Sequence, residues 1–543
     1  MFHAPSASAI LIVGAGPTGL TLAHELLRRG IRPRLIEKTP QASPNTKALG
    51  VLPRTLEALA PAGITKEMLA QGVQVPTFSV WSAGRHRARL DFSRAVESPY
   101  PFILMIPQHT TEAILTDSIM RQGSRVERGI ELVSLTQRAE CVEAVLRHAD
   151  GTEEYTRSTF LIGCDGAHST VRHLLGARFV GTTAAQSFAT GDIRMHGKMP
   201  HNQALAYLNQ GHLLAYFPLP DGQHRFLLAH PPRETPQGEV TLEEIQQAIE
   251  ICGPVGAWAT DPRWLARYHV HQRRVERYVH QRVLLAGDAA HIHSPLAAQG
   301  MNTGIQDAIN LAWKLALVVQ GRAPARLLES YQIERARVGR RLLRVDTLLT
   351  CLASLHHPLA TAIRDRVTPY LMQHPQTQHL LTRTAAGLRI SYQHGPLVFD
   401  YRGEKGMSAS AAVKVGDRAP NGLLFSGRQP SPGQLYDLLT GTGHVLLIFT
   451  TQQAEERRRE VQSVLADWSE FLEVYPIQRL APPGASEQTW YDPDGMLAKR
   501  FGIADEGLVL IRPDGYISFR NQPIDAEPLQ RFLRTHFCLQ RLH

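Results

Sequence analysis

Cysteine is scarce in this chain. The five present, Cys141, Cys164, Cys252, Cys351 and Cys538, are odd in number and scattered over 543 residues. No two are spaced for a zinc site or a dithiol centre, so neither a disulfide scaffold nor thiol redox chemistry has support, and reduced thiols in a cytoplasmic protein are expected. Lysine is scarce too, 8 of the 58 basic residues, an arginine excess of the kind a GC-rich genome produces. Apolar runs of membrane length are missing. The apolar N-terminal stretch lacks a basic leader and is cut by Gly16-Pro17-Thr18-Gly19, which argues against a secretory signal, and no membrane association is expected. The basic residues behind the net charge of +9 are dispersed, densest at Arg457–Arg459, without interleaved aromatics, so nucleic acid is not an expected partner. That charge can draw in an anionic nicotinamide cofactor or an acidic substrate, although a solvated face explains it as well. Repeats and low-complexity tracts are absent, and the length implies two or three domains with large cores.

What the chain does have begins at once. Ala9 to Gly19 reads as a short buried strand running into Gly14-x-Gly16-x-x-Gly19, followed by a helical run (Leu20, Ala23, Leu26, Leu27), and Glu37 closes a second apolar run. This is the pattern of a dinucleotide-binding βαβ unit. Gly14 permits a turn with positive φ, Gly16 lets the backbone approach a pyrophosphate, Gly19 lets helix and strand pack closely, and Glu37 can hold a ribose hydroxyl. A glycine turn without a ligand is the competing reading, and the strand, the helix and the acid together weigh against it.

Further along, Arg54–Leu59 and Thr110–Met120 read as helices, and Thr77–Trp81 and Ala88–Phe92 as strands. Val142–Val145 and Glu153–Arg157 form a hairpin across Asp150-Gly151, before a buried strand at Phe160–Gly163. From about Phe179 to Tyr268 alternating segments (Ala204–Leu208, Leu213–Phe217, Arg225–His230) predict an antiparallel sheet. Arg282–Ala286 is another buried strand, with a long helix at Gly304–Val319 and helical composition from Arg326 to Ala386. Turn residues near 395–419 mark a boundary. A separate α/β unit follows, with strands at His444–Thr450 and Glu473–Gln478, a helix through Ala454–Phe471 and a hairpin at Leu508–Phe519.

Two more motifs follow buried strands. In Cys164-Asp165-Gly166-Ala167-His168-Ser169-Thr170-Val171-Arg172, Asp165 can accept from a ribose hydroxyl or fix a nearby loop, and Ser169 and Arg172 lie one helical turn apart. A capped helix is the plain alternative. In Gly287-Asp288-Ala289-Ala290-His291-Ile292-His293-Ser294-Pro295, Asp288 can bond a ribityl or ribose hydroxyl, and the Gln299–Gly304 turn aims a helix N-terminus into the cleft.

In this order and spacing, over residues 9 to 395, the three motifs resemble those of the FAD-dependent aromatic hydroxylases, the single-component flavoprotein monooxygenases of the para-hydroxybenzoate and phenol hydroxylase type. The resemblance implies that Gly14, Gly16, Gly19 and Glu37, with Thr18 and Lys38 beside them, bind the ADP half of FAD. It implies Gln108 near the ribityl and phosphate region, Asp165 in FAD and NAD(P)H binding, and Asp288 on the ribityl chain. Pro295 and Gly300-Met301-Asn302 would flank the isoalloxazine, where the helix dipole favours charge on a reduced flavin. NADH or NADPH would be a transient reductant without a Rossmann site of its own. A C4a-hydroperoxyflavin would transfer one oxygen of O2 to an aromatic or polyketide-derived phenol, with no side-chain nucleophile required and no catalytic residue assigned. Baeyer–Villiger oxygenation on the same fold and an idle flavin-binding scaffold are the alternatives; a halogenase is disfavoured because no Trp-x-Trp-x-Ile-Pro occurs.

The chain departs from the family in two places. Lys47 stands in Asn45–Val51 where an arginine is usual, keeping the charge without the planar fork. Ala297-Ala298 replaces a common Gly-Gly, which restricts the loop's backbone. Residues 412–543 resemble the thioredoxin-like extension of phenol and polyketide hydroxylases, but no Cys-x-x-Cys follows Phe449-Thr450, so a packing or homodimer-contact role is expected. The expected fold is therefore α/β and α+β. A Rossmann-like FAD-binding domain (1–180 and 271–400, the latter with a helical segment) carries an antiparallel-sheet substrate domain (181–270) and a C-terminal thioredoxin-like domain (412–543). His291 and His293 are read as loop-bonding residues. Tyr207, Tyr216, Phe217 and Phe226 lie on the substrate sheet, with core packing the simplest role for each.

Overall fold

A computed structural model describes residues 8–42, 48–231, 236, 238–293, 299–353, 366–367, 370, 374–402, 412–426, 429–480 and 489–538. Its organising element is a six-stranded sheet in the order Val279–His280, Val283–Leu285, Phe160–Gly163, Ile10–Val13, Arg34–Glu37, Val126–Arg128. Ile10–Val13 is buried at every residue and pairs in parallel with both neighbours, and Phe160–Gly163 pairs in parallel with Val283–Leu285. A continuous apolar run suits a strand covered on both faces. Because these strands run the same way, the glycine turn, Glu37, the Asp165 turn and the Asp288 turn all leave the sheet at its carboxyl edge. In open parallel sheets that is where ligands bind.

An eight-stranded sheet lies beyond, in the order His291–Ile292, Trp258–Val275, Phe179–His196, His224–Ala229, His212–Pro218, Gln203–Asn209, Thr77–Ser82, Arg85–Asp91. It reaches back in sequence: Thr77–Ser82 pairs in parallel with Gln203–Asn209, bringing in two strands from before the segment that reads as a sheet. Alternation divides its faces. Tyr216, Phe226 and Leu228 pack under the helix Leu242–Cys252, with Tyr207 against them. Phe188, Ala206, Leu213, Ala215, Leu227 and Ala229 form the other face, flanked by Phe217 and Tyr268. Of the four aromatics named from sequence, only Phe217 is therefore on this inner face.

The long helix spans Gly300–Val319, so the Gln299–Gly304 segment read as a turn is its first turn. In the C-terminal sheet His444–Thr450 pairs in parallel with Leu472–Gln478 and antiparallel with Gly507–Ile511, which continues antiparallel to Ile517–Gln522. Phe399–Arg402 adds an edge strand, so this sheet draws chain from before residue 412. Its core includes Trp313, Ala323 and Leu327 from the preceding part of the chain, packed with Leu446, Trp468 and Phe519. Among the described residues no helix is long and apolar enough to cross a membrane.

Candidate cofactor site

The glycine turn is dictated by its surroundings. Gly14 has φ +101°, its N–H donates to Ile36 O at 2.8 Å, and a Cβ there would lie 2.5 Å from Cys164 O. At Gly19 a Cβ would lie 2.0 Å from Gly14 O, which is why the helix Pro17–Leu27 can sit this close to the turn. At Gly16 a Cβ would meet nothing within 4 Å: that glycine faces open space. Glu37 accepts from Ala15 N at 2.9 Å through one oxygen and from Thr39 N and Oγ1 at 3.0 and 2.7 Å through the other. Burial works to raise its carboxyl, but these donors and the charge of Arg128 overcome burial and hold it below the usual range. Lys38 follows it, exposed. Gln108 opens the helix Gln108–Arg121 and donates to Glu112 at 2.7 Å; burial, opposed by that bond, leaves the Glu112 carboxyl raised, with Glu37 adding to the effect.

The Asp165 turn is spent on its own loop. Its carboxylate accepts from Ser169 Oγ at 2.5 Å and from Val171 N at 3.0 Å, and Ser169 in turn caps Arg172 N at 3.0 Å. Of the two roles open to Asp165 from sequence, loop fixation is the one its contacts display; burial still leaves its carboxyl raised. The Arg172 side chain reaches on to Ala289 O at 3.0 Å, tying this turn to the Asp288 turn.

Thr18 joins the glycine helix to the rest. A Cβ on Gly287 would lie 2.4 Å, and one on Gly304 2.3 Å, from Thr18 Oγ1, so two glycines form the crevice that receives this hydroxyl. Asp288, in the short turn Gly287–Ala289, is solvent-accessible in a recess beside Gly300, and its carboxylate makes no hydrogen bond among the described residues. The surrounding protein raises its carboxyl, with His291 opposing and Asp307 adding to the rise. Gly300 and Met301 begin the long helix, half-buried. Asn302 is buried and accepts from Leu52 N at 2.9 Å while donating to Gly50 O at 2.8 Å. Lys47, Pro295 and Ala297-Ala298 lie outside the described residues.

Behind Asp288 stands a group that the motifs do not announce. Asp307 accepts from Gly287 N at 3.0 Å, from the His291 ring at 2.6 Å and from Arg335 Nε at 2.5 Å. Burial would raise its carboxyl, but Arg335 and His291 hold it down to about 2. An anionic Asp307 accepts only, so His291 Nε2 carries a proton, and its Nδ1 lies within hydrogen-bond distance of His293 Nε2 at 2.9 Å. Burial holds His293 neutral, down to about 3. Both histidines thus bond within the loop region. The sequence signal for Asp307 is a carboxylate set in the buried apolar run Ile305, Ala308, Ile309, Leu311.

A glycine turn with three acidic positions at the carboxyl edge of adjacent parallel strands defines a protein that binds a dinucleotide cofactor. Residues 7–346 match the family model described as an FAD binding domain, and the chain belongs to that family of flavoproteins. The 6-methylpretetramide 4-monooxygenase of Streptomyces rimosus is 34% identical over 527 residues, spanning 94% of this chain and 90% of that protein. Pentachlorophenol 4-monooxygenase of Sphingobium chlorophenolicum is 31% identical over 538 residues, 94% of each chain. Among solved structures OxyS, the anhydrotetracycline hydroxylase of Streptomyces rimosus, superposes with a TM-score of 0.78 at 29% identity, covering 98% of this chain and 99% of its own. The protein is an FAD-dependent monooxygenase of the aromatic hydroxylase type.

Proposed function

We propose that this enzyme hydroxylates a polyketide-derived phenol or a related fused aromatic, with FAD seated along the carboxyl edge of the parallel sheet. The observation that carries the reading is that edge itself. It gathers an open glycine turn at Gly16, a carboxylate at Glu37 and, at Asp288, a solvent-accessible carboxylate without a hydrogen bond among the described residues. These are the groups a dinucleotide needs: free backbone N–H at a helix start for the pyrophosphate and acceptors for sugar hydroxyls.

In this reading Gly14, Gly16, Thr18 and Gly19 hold the pyrophosphate, Glu37 and Lys38 the adenosine end, and Gln108 and Asp288 the ribityl side. Asp165 fixes the turn beneath, Gly300 to Asn302 border the ring, and Lys47 and Pro295 complete the set. Bound there and reduced by NAD(P)H, FAD activates O2 so that one oxygen atom enters the aromatic ring and the other leaves as water. The chain does the rest by position. The helix Gly300–Val319 directs its N-terminal dipole toward the site and favours negative charge there. The apolar face of the large sheet that carries Ala206, Ala215 and Ala229 beside Phe188, Phe217 and Tyr268 is of a chemistry that suits flat fused rings. The names of the tetracycline-type relatives agree with such a substrate.

The C-terminal unit is read as thioredoxin-like, from the strand order Leu472–Gln478, His444–Thr450, Gly507–Ile511, Ile517–Gln522 with helices Ala454–Val464 and Ala526–His536. With no paired cysteines at its active-site position, its role is structural. The free thiols Cys141, Cys164, Cys252 and Cys538 support a cytoplasmic setting.

The test is NADPH oxidation by the purified yellow protein with a panel running from single-ring phenols to four-ring polyketide phenols, under 18O2. Stimulation and one labelled oxygen in a fused-ring product are expected. Equal NADPH oxidation with and without every phenol, and no labelled product, would overturn the reading.

A further inference from the structure

From the turn that carries Asp288, a line of buried polar contacts runs to the other end of the chain. Asp307 holds Gly287 N and receives Arg335, which also donates to Thr303 O at 3.2 Å. The residue before Arg335, Glu334, accepts Arg512 through both oxygens at 2.6 and 3.0 Å and Lys314 Nζ at 2.7 Å. Two residues beyond Arg512, in the hairpin turn Pro513-Asp514-Gly515, Asp514 accepts from Asn310 Nδ2 at 3.1 Å and from Trp313 Nε1 at 3.4 Å. Arg54 clamps the turn's backbone, donating to Asp514 O at 2.6 Å. The side chains of Asp307, Lys314, Glu334 and Arg335 are 0% exposed and that of Arg512 1%.

Signs balance along this line, with Arg335 against Asp307, and Lys314 and Arg512 against Glu334 and Asp514. Buried ion pairs add little net stability over apolar packing but cost heavily when one partner is lost, so their effect is to fix one geometry. Here they grip a single helix. Gly300–Val319 is held at Asp307 by Arg335, and one and two turns later, at Asn310 and Lys314, by the groups that receive the C-terminal turn. The same helix begins at Gly300, beside Asp288.

We propose that Arg512 and Asp514 are positioning residues for the cofactor site. Through Glu334, Arg335 and Asp307 they set where the Gly287-Asp288 turn and the start of the long helix stand, and so set the affinity for FAD. The C-terminal unit is then a working part of the flavin site, although it contributes no residue to it. The inference rests on the assignment of Asp288 to FAD.

The double variant Arg512→Met/Asp514→Asn removes both charges of the turn from this line while leaving Lys314 and Glu334 paired and the Arg54 bond to the turn's backbone in place. Diluting the holoenzyme and following flavin fluorescence should show the Kd for FAD raised at least tenfold, with the far-UV spectrum retained. Combined with Asp307→Asn, the effects should be less than additive, because both act on one line of contacts. In the unaltered protein, hydrogen exchange should slow on FAD addition at residues 285–293 and also at 511–517. An unchanged Kd in a folded double variant overturns the proposal. Exchange at 511–517 that ignores FAD does so too, and decides the matter if the variant does not fold. Failure of the unaltered protein to bind FAD would overturn the cofactor assignment beneath it.

Discussion

Asp288 and Asp307 belong to one turn-and-helix unit, yet their surroundings drive them in opposite directions. Asp288 is reachable by solvent, has no donor among the described residues, and carries a carboxyl raised by the protein around it. Asp307 is fully buried, accepts from Gly287 N, His291 and Arg335, and is held down to about 2 despite burial. A fully buried carboxylate already held by three donors lies out of reach of a ligand. One that is open to solvent and has no donor among the described residues keeps its oxygens available as acceptors. The first is therefore architecture, the second is the group the proposed function assigns to FAD, and substitution should separate them.

The largest effect belongs to Asp307→Ala. It leaves the Arg335 guanidinium buried without its anion, a loss on the order of 3–5 kcal/mol, and urea unfolding of the FAD-free protein should show it. A loss under about 1 kcal/mol would mean that Asp307 is not the support that the comparison makes it. Next comes the crevice around Thr18. Gly304→Ala puts a Cβ 2.3 Å from Thr18 Oγ1, an overpacking cost of about 1–3 kcal/mol. Adding Thr18→Ala should return most of that cost, because it removes the atom the new methyl strikes. Thermal melts of the two single variants and the double variant check this, and no recovery in the double would place the strain elsewhere.

Much of the geometry at the sheet's carboxyl edge was legible in the sequence because backbone conformation leaves marks. A positive φ at Gly14, a 2.0 Å approach at Gly19 and a carboxylate at a strand end each demand particular residues at fixed spacing. The strands themselves were legible for the same reason, since Ile10–Val13, Phe160–Gly163 and His444–Thr450 are buried throughout. Contacts between distant segments left no such mark. Nothing near Asp307 specifies Arg335, nothing near Glu334 specifies Arg512 from 178 residues away, and nothing in Thr77–Ser82 names Gln203–Asn209 as its neighbour. Similarly, the sequence placed Tyr207, Tyr216, Phe217 and Phe226 on one sheet, while only the register between its strands and the helix Leu242–Cys252 separated Phe217 from the other three.

Acid should expose the architectural side in two windows. His293, beside the Asp307 group, is held down to about 3 by burial, and His444, stacked on Phe471 at 4.4 Å in the C-terminal core, likewise to about 3. In the unfolded chain both titrate near 6.5, so between that pH and 3 the unfolded state binds more protons and stability falls as pH falls. The slope is up to about 1.4 kcal/mol per pH unit for each histidine. Asp307, depressed from 3.8 to about 2, keeps its contribution above pH 4 and loses it only as pH falls through its folded value. Urea midpoints between pH 7 and 5 should therefore report the buried histidines, with His224, held down to about 4 by burial, adding to the slope. His444→Phe, which keeps the aromatic stack, should flatten that slope, and an unchanged slope would show that His444 is charged in the fold.

The smallest effect on stability should come from Asp288→Ala. The carboxylate is solvent-accessible and makes no hydrogen bond among the described residues, so the FAD-free variant should unfold within about 0.5 kcal/mol of the parent. Binding should respond differently. Hydrogen bonds to a charged acceptor contribute about 1.5–3 kcal/mol, which corresponds to a Kd for FAD raised roughly tenfold to a hundredfold. Thermal unfolding of the FAD-free protein and a flavin titration measure the two quantities separately. A variant that loses more than about 1 kcal/mol of stability while binding FAD unchanged would make Asp288 a second Asp307. The recess would then be a packing feature, and the acceptor for the ribityl side would have to be sought elsewhere along the sheet's carboxyl edge.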